Sequence, residues 1–161
     1  ARLNLALGER GGAFPAAALS LAGEDFDDAD ALRHALARSR IRDAESGRTN
    51  AGPHLADLAT RHTQKRADAR DCSTGEQKAL LISIMLGFAR ELSRARDGMA
   101  PLLLLDEIAA HLDIIRRAAL FEEIAGLGAQ AWMTGTDLSL FEGAQAQIFE
   151  VRDGLFLEAG A

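Results

Sequence analysis

The chain has 161 residues, of which 48% are hydrophobic and 26% charged, and its formal net charge is −6. This length and balance are typical of one folded domain, or part of one, with a sizeable core. The single cysteine, Cys72, excludes an intramolecular disulfide framework and is typical of a reducing compartment. No apolar run approaches the ~20 residues of a membrane helix and no signal-peptide pattern opens the chain, so we expect a cytoplasmic protein with no membrane contact.

Basic residues are concentrated in one block. Residues 33–70 contain nine Arg or Lys against four Asp or Glu, a net charge of +5, whereas the remainder carries −11. The candidates for contacts with DNA phosphates are the arginines of one helical stretch, Arg33, Arg38, Arg40 and Arg42. A solvated, arginine-rich helix face is the alternative interpretation of this block.

The chain opens with a pattern that predicts two strands. Leucines alternate with other residues at Leu3, Leu5 and Leu7, which indicates a half-buried strand ending in the turn at 8–12. Residues 16–21 are predicted to return as a second strand.

A helix is predicted after the acidic patch at residues 24–28. Asp27 or Asp28 can cap its first turn, and Gly47 ends it. The predicted buried face carries Leu32, Leu36 and Ile41.

Residues 52–71 connect this helix to the next one. A Gly-Pro break at Gly52 is followed by a short alternating stretch at 55–59. Residues 61–71 are polar and basic, which indicates an exposed strand or loop.

Ser73 and Glu76 have the spacing of a capping box, so a helix is predicted to start at Ser73. Gly75 lies in its first turn, where the missing side chain lets backbone N–H groups approach a phosphate. The predicted buried stripe consists of Leu80, Leu81, Ile84, Met85, Phe88 and Leu92. A plain helix N-terminus without a ligand is the alternative.

Four leucines at 102–105 predict a strand buried on both faces, as in a parallel sheet. Two carboxylates, Asp106 and Glu107, follow at its C-terminal end, which is where open α/β sheets bind ligands. This pattern is typical of a nucleotide-hydrolysis strand, in which the Asp holds Mg²⁺ and the Glu orients or deprotonates the attacking water. A strand that merely ends in a solvated acidic turn is the alternative.

The last third predicts a helix, a buried strand and a hairpin. Asp113 can cap a helix over 114–125, and residues 130–133 form the next strand. The small hydroxyl residues after that strand suit contact with a γ-phosphate or its water. Asp153-Gly154 is a hairpin turn that joins two short strands, 148–151 and 155–157.

The motifs at 73–77, 106–107 and 108–113 follow the order and spacing of ABC-type ATPases. From Cys72 to the C-terminus the chain resembles the RecF family, bacterial recombination-repair ATPases of the ABC/SMC superfamily. The element Gly52-Pro53-His54, with an acid at Asp57, is also similar to that family. Leu55 stands where the family usually has Arg, so no role of that Arg is carried over.

The resemblance implies a role for each motif. The signature, which contacts ATP held by the opposite subunit, comprises Ser73, Thr74, Gly75, Glu76 and Gln77. Asp106 is the Mg²⁺-linked aspartate and Glu107 the catalytic carboxylate. The loop at the dimer interface contains His111 and Asp113. Thr136 and Asp137 occupy the switch region, where many ABC proteins have His.

The resemblance also implies the fold and the function. We expect an α/β fold, the C-terminal part of an ABC-type ATPase head with a mostly parallel core sheet flanked by helices and a C-terminal β-hairpin. Residues 1–71 form a strand and helix subdomain of the second lobe, and residues 72–161 the ATPase segment. The complete protein would dimerise on ATP, bind DNA at single-strand gaps in the SOS response, and load recombinase with RecO and RecR.

The chain contains no Gly-x-x-x-x-Gly-Lys-[Ser/Thr] phosphate loop. We therefore expect it to be inactive toward ATP by itself. Three alternatives stay open: a non-hydrolysing DNA-binding or scaffold module, an unrelated α/β hydrolase with a metal site, and the head of another ABC/SMC ATPase. The intact Asp106-Glu107 pair argues against the first, and the lack of a nearby His/Asp cluster against the second. The sequence contains no heptad tract that would favour the head of a coiled-coil ATPase.

Overall fold

The computed structural model describes residues 3–4, 7, 12–23 and 26–158. The chain forms two compact units, Ala1–Ile84 and Met85–Ala161. The domain boundary predicted between residues 71 and 72 follows from the motifs and stays a prediction.

The first unit contains an antiparallel sheet of three strands in the order β1-β2-β3. The strands are β1 (Ala17–Ala22), β2 (Asp57–His62) and β3 (Ala67–Asp68). The predicted strand at 16–21 is thus confirmed. The alternating stretch at 55–59 lies only partly in β2, which begins at Asp57 because Pro53–Leu55 forms a 3₁₀ turn.

The strand predicted at the start of the chain is wrong in the part that the structure describes, because Leu3, Asn4 and Leu7 are helical. Leu3 and Leu7 are four residues apart, so a helix places them on one face. Leu7 is fully buried with Ala17, and Leu3 packs against that cluster. The predicted Leu5 and residues 8–11 of the turn lie outside the described residues.

Helix α1 (Ala29–Ser46) begins and ends as predicted. The Asp28 carboxylate accepts hydrogen bonds from the first N–H groups of the helix, and Gly47 ends it with φ 64°. Its buried face is different from the prediction. Ser39 is buried there, whereas Leu36 and Ile41 are 36% and 76% exposed. Ile41 is two residues from Ser39 and therefore lies on the opposite side of the helix. Of the predicted acidic patch, residues 24 and 25 lie outside the described residues.

The loop after α1 is tied back to the helix by Asp43. Its carboxylate accepts hydrogen bonds from the backbone and the side-chain amide of Asn50, both at 2.9 Å, and from the Ser39 hydroxyl at 2.8 Å. The bonds from Asn50 hold the pKa of Asp43 below its usual value. Gly52 follows with φ 134°, and a Cβ there would lie 3.0 Å from the His54 ring. The loop geometry therefore requires glycine before Pro53.

Helix α2 (Thr74–Ala95) begins one residue after Ser73, as the capping box predicts, and the boundary between the two units falls within it. Its predicted apolar stripe is only partly correct. Leu80 is buried and Ile84, Met85 and Leu92 are half-buried. Leu81 and Phe88 are 66% and 57% exposed. The remaining buried positions are Ala79, Ile82, Ser83, Leu86, Gly87 and Ala89.

In the second unit two parallel strands flank a helix in sequence. They are β4 (Leu103–Leu105) and β5 (Ala131–Met133), and Leu105 pairs with Met133. The predicted helix between them is α3 (Ile114–Leu127), which the Asp113 carboxylate caps through Arg116 N–H. Gly128 ends it in the left-handed conformation, with φ 62°.

The prediction that the leucine strand is buried on both faces is wrong. Leu103 and Leu105 are buried, but Leu104 is 74% exposed, and its partner Trp132 in β5 is 53% exposed. Since side chains alternate across a strand, the described residues cover one face of this two-stranded sheet and leave the other open.

The predicted C-terminal hairpin is confirmed. Strands β6 (Phe149–Arg152) and β7 (Leu155–Glu158) are antiparallel. Asp153 and Gly154 both have positive φ, 50° and 77°, which is the geometry of a two-residue type I′ turn. The chain therefore has the expected α/β fold with a C-terminal hairpin. No helix in the part of the chain that the structure describes is long and apolar enough to span a membrane.

Candidate functional site

The first candidate element, the signature, lies at the start of α2 in the first unit. Ser73 and Glu76 form a reciprocal capping box: Ser73 N–H donates to Glu76 Oε2 at 3.0 Å, and Glu76 N–H donates to Ser73 Oγ at 3.4 Å. This arrangement satisfies two donors that the helix leaves unpaired at its N-terminus. Ser73, Thr74 and Gly75 are exposed, so the first turn is accessible to a ligand.

Glu76 has a second partner outside the helix. Lys65, in the turn between β2 and β3, forms an ion pair with Glu76 Oε1. The Lys65 ammonium, together with the hydrogen bond from Ser73 N–H, lowers the pKa of Glu76 to about 2. The same contact raises the pKa of Lys65. Sequence reasoning missed Lys65, because only the hairpin fold brings this turn to the helix.

Two further signature residues are held in definite ways. The Gln77 side-chain amide donates to the Cys72 carbonyl at 3.1 Å, so it is turned back toward the preceding loop. Among the described residues, no heavy atom outside the backbone of α2 and the two chain neighbours lies within 4 Å of the position that a Cβ on Gly75 would take. The space beside the first turn of α2 is therefore open.

The second candidate element is the acidic pair in the second unit. Asp106 and Glu107 directly follow β4, and Thr134 directly follows β5. Because the strands are parallel, their carboxyl ends meet at one edge of the sheet. Both acidic side chains are exposed there. The predicted position of the pair is thus matched by the strand geometry.

Thr134 joins the two acids. Its hydroxyl donates to Asp106 Oδ1 in a short hydrogen bond and accepts from Glu107 N–H at 3.0 Å. Its own N–H donates to the Leu105 carbonyl at 3.0 Å, which extends the parallel ladder by one bond. From sequence we assigned Thr134 only to a segment suited to a γ-phosphate. The sequence feature that could have identified its contact with the two acids is the position of a hydroxyl residue at the end of the next strand.

Glu107 has a backbone conformation that residues other than glycine rarely adopt, with φ 54°. Holding a residue in such a region costs about 1–3 kcal/mol, and such residues cluster at functional sites. The N–H of Glu107 that bonds to Thr134 belongs to this same peptide. The conformation is therefore held by a specific contact to the neighbouring strand.

The remaining predicted site residues lie in the second unit. Asp113 caps α3 and is exposed, and His111 ends the short turn Ala109–His111, with its side chain outside the described part. Thr136 is exposed. The carboxylate of Asp137 accepts from Ser139 N–H at 2.8 Å, and this bond holds its pKa below the usual value.

A cavity of about 760 Å³ lies beside β5. Its lining includes Thr134, Thr136 and Asp137 together with Phe149 and Phe156 of the hairpin, but neither Asp106 nor Glu107. It therefore adjoins the switch region and not the acidic pair itself.

The acidic pair suits a magnesium ion that is shared with a substrate. No group of three or more His, Cys, Asp or Glu side chains in the described ranges is placed to hold a metal ion. Mg²⁺ in nucleotide sites is bound by one or two carboxylates plus substrate phosphates and water. A single strand-end aspartate with a hydroxyl beside it fits this requirement.

The four arginines of α1 are exposed but do not form one patch. Arg33 and Arg40 are seven residues apart and share one side of the helix, whereas Arg38 and Arg42 are four apart and share another. Arg33 forms an ion pair with Asp30. A single nucleic-acid backbone would therefore meet one pair or the other.

No protein-family model matches the chain. Curated relatives do, and they are named DNA replication and repair protein RecF. The protein from Rhizobium leguminosarum bv. trifolii is 51% identical over 155 residues, which cover 90% of this chain and 41% of the relative. The protein from Caulobacter sp. (strain K31) is 51% identical over 135 residues, 83% of this chain and 34% of the relative.

The chain is homologous to the C-terminal part of RecF. This RecF homologue spans about two fifths of the length of the curated relatives it matches. A solved structure of the recombination mediator protein RecF-ATPrS in the RecFOR pathway has the same fold, with a TM-score of 0.70 at 22% identity over 99% of this chain and 44% of that one. The RecF-ATP structure gives a TM-score of 0.64 at 19% identity, over 98% of this chain and 45% of that one.

Proposed function

We propose that the complete protein containing this chain is a RecF-type DNA-repair ATPase. The observation that carries the proposal is the Asp106-Glu107 pair at the carboxyl edge of two parallel strands, in a chain 51% identical to RecF proteins. Residues 72–161 are its ATPase segment, and residues 1–71 belong to the second lobe. The chain alone lacks a phosphate loop and is inactive toward ATP.

In the proposed reaction the two acids have separate roles. Asp106 would hold Mg²⁺ with its carboxylate, and Glu107 would orient the attacking water and accept its proton. Magnesium, when bound, offsets charge that develops on the phosphate oxygens. The exposed position of both side chains supports these roles, since substrate reaches them from solvent.

The signature acts on nucleotide held by a second subunit. Its exposed first turn offers N–H groups and the positive end of a 22-residue helix to a phosphate. Ser73, Thr74, Gly75, Glu76 and Gln77 form this element. Asp113 and His111 lie in the loop that crosses the dimer interface, and Thr136 and Asp137 respond to the γ-phosphate. ATP therefore drives homodimerisation.

The dimer acts on DNA in the cytoplasm. We propose that it binds at single-strand gaps, works with RecO and RecR to load recombinase, and takes part in the SOS response. The RecFOR pathway named for the solved RecF structures supports these partners. One exposed arginine pair of α1 supplies phosphate contacts.

Glu107→Gln in the full-length protein tests the proposal. Loss of a general base costs ~10²–10⁴-fold in hydrolysis, whereas ATP binding should persist, so ATP-bound dimer accumulates. Steady-state turnover and light scattering with ATP measure the two effects. Wild-type turnover in this variant would exclude Glu107 as the catalytic carboxylate.

A further inference from the structure

We propose that Thr134 is a positioning residue for hydrolysis. Its single hydroxyl group orients the Asp106 side chain and the Glu107 backbone. This inference rests on the proposed function of the two acids. It assigns to Thr134 a role different from direct contact with phosphate, because the hydroxyl is already engaged by both acidic residues.

The hydrogen bonds have a defined direction. The N–H of Glu107 is a donor, so Thr134 Oγ1 must accept from it, at 3.0 Å. The one hydroxyl hydrogen is then available to Asp106 Oδ1, with which Thr134 forms its second bond. Hydrogen bonds to a carboxylate are stronger than those between two neutral groups. The aspartate is thereby oriented by a neutral donor, and its carboxylate would hold the metal ion in that orientation.

The sheet fixes where this hydroxyl lies. Leu105 pairs with Met133, and Thr134 N–H donates to the Leu105 carbonyl, so the register places Thr134 beside the residues that follow β4. Thr134 is 28 residues from Asp106 in sequence. Groups that orient metal-binding carboxylates in this way change metal affinity or activity about 10–100-fold when they are removed.

The contact to Glu107 has a separate consequence. Glu107 is held at φ 54°, a conformation that a glutamate leaves readily unless its surroundings fix it. Without the Thr134 acceptor, its N–H loses a partner and the residue gains freedom at the site of water attack. A loss of the hydroxyl should therefore lower kcat more than it raises KM for ATP.

The test compares Thr134→Val with Thr134→Ser in the full-length protein. Valine keeps the β-branched shape and removes the hydroxyl, whereas serine keeps the hydroxyl. The valine variant should lose about 10–100-fold in kcat and need more Mg²⁺ for half-maximal rate, and serine should restore most of the activity. Thr60→Val, which removes a threonine hydroxyl from β2 of the first unit, is the matched control and should hydrolyse ATP normally.

Metal binding is measured independently of turnover. Electron paramagnetic resonance titration of Mn²⁺ with a non-hydrolysable ATP analogue should show weaker binding, by about tenfold or more, in the valine variant only. Wild-type Mn²⁺ affinity and turnover in that variant would overturn the inference. So would a serine variant as defective as valine.

Two further measurements separate the possible causes. Thr134→Ala removes the hydroxyl together with the γ-methyl and so adds no bulk, unlike valine. If both this variant and the valine variant unfold while serine is stable, the hydroxyl serves the fold and the inference is overturned. If Glu107→Gln turns over normally, the proposed function itself fails. If only Glu107→Gln is inactive and Thr134→Val is normal, the positioning role alone is wrong.

Discussion

Lys65 forms an ion pair with Glu76 and so ties the β2–β3 turn to the first turn of α2. Glu76 simultaneously accepts from Ser73 N–H at 3.0 Å. One carboxylate therefore holds the helix start and the hairpin turn together, at the place where the proposed signature meets a phosphate.

This contact predicts a particular acid sensitivity. The pKa of Glu76 is lowered from 4.5 to about 2 in the folded protein, so its contribution to stability is present above pH 4.5 and is lost as the pH falls toward 2. Glu76→Gln should flatten the decline in the free energy of unfolding across that window, as measured by urea denaturation at several pH values. An unchanged pH profile would show that the ion pair does not persist in solution.

Ser73→Arg should separate ATP binding from dimerisation. The arginine places a bulky side chain at the exposed start of α2, where the partner's nucleotide approaches, and leaves Asp106 unchanged. Each isolated subunit should still bind ATP, but ATP-driven dimerisation and hydrolysis should both fail. Calorimetry and light scattering measure these effects.

A mixing experiment examines the same element across the dimer. When the Ser73→Arg subunit is combined with one that lacks its phosphate-loop lysine, one composite site contains both defects and the other neither. About one working site per heterodimer should return. If the mixture neither dimerises with ATP nor hydrolyses it, the signature does not reach across to the partner.

The arginines of α1 predict a salt dependence that distinguishes two helix sides. Arg38→Ala/Arg42→Ala and Arg33→Ala/Arg40→Ala are matched pairs, since all four side chains are exposed. Removal of the pair that contacts DNA should reduce the magnitude of the slope of log K against log salt by ~2. Removal of the other pair should leave the slope unchanged. Equal slopes in both double variants and wild type would assign this helix to the solvated surface.

Gly135 should resist substitution because a Cβ there would lie 3.0 Å from the Phe141 ring. Gly135→Ala is expected to destabilise the full-length protein by about 1–3 kcal/mol. Gly126→Ala is the matched control: Gly126 lies within α3, and a Cβ there would meet no described residue beyond its own helix within 4 Å. Alanine should therefore stabilise the protein by about 0.5–1 kcal/mol. Denaturant unfolding of both variants tests this contrast, which fails if the two changes have the same sign.

Local chemistry accounts for what the sequence predicted well. Asp28, Ser73 and Asp113 cap their helices. A short polar side chain can do this through local contacts alone, since it accepts hydrogen bonds from N–H groups two or three residues further along the chain. The hairpin turn requires positive φ at both of its central positions, and Asp153-Gly154 is a pair that adopts this conformation readily. The position of Asp106 and Glu107 at the end of a strand was also predictable, because the strand and the two acids lie in one continuous segment.

Contacts between distant segments were decided only by the tertiary structure. The spacing of Leu3 and Leu7 fits a strand or a helix, and burial against Ala17 and Leu80 selected the helix. Leu104 is exposed because burial depends on what covers the sheet and not on the residue itself. Thr134 reaches Asp106 and Glu107 across the register of two strands, as Lys65 reaches Glu76 across a hairpin. A sequence pattern locates the two carboxylates for which we propose a role in hydrolysis, whereas strand pairing determines which neighbours contact them.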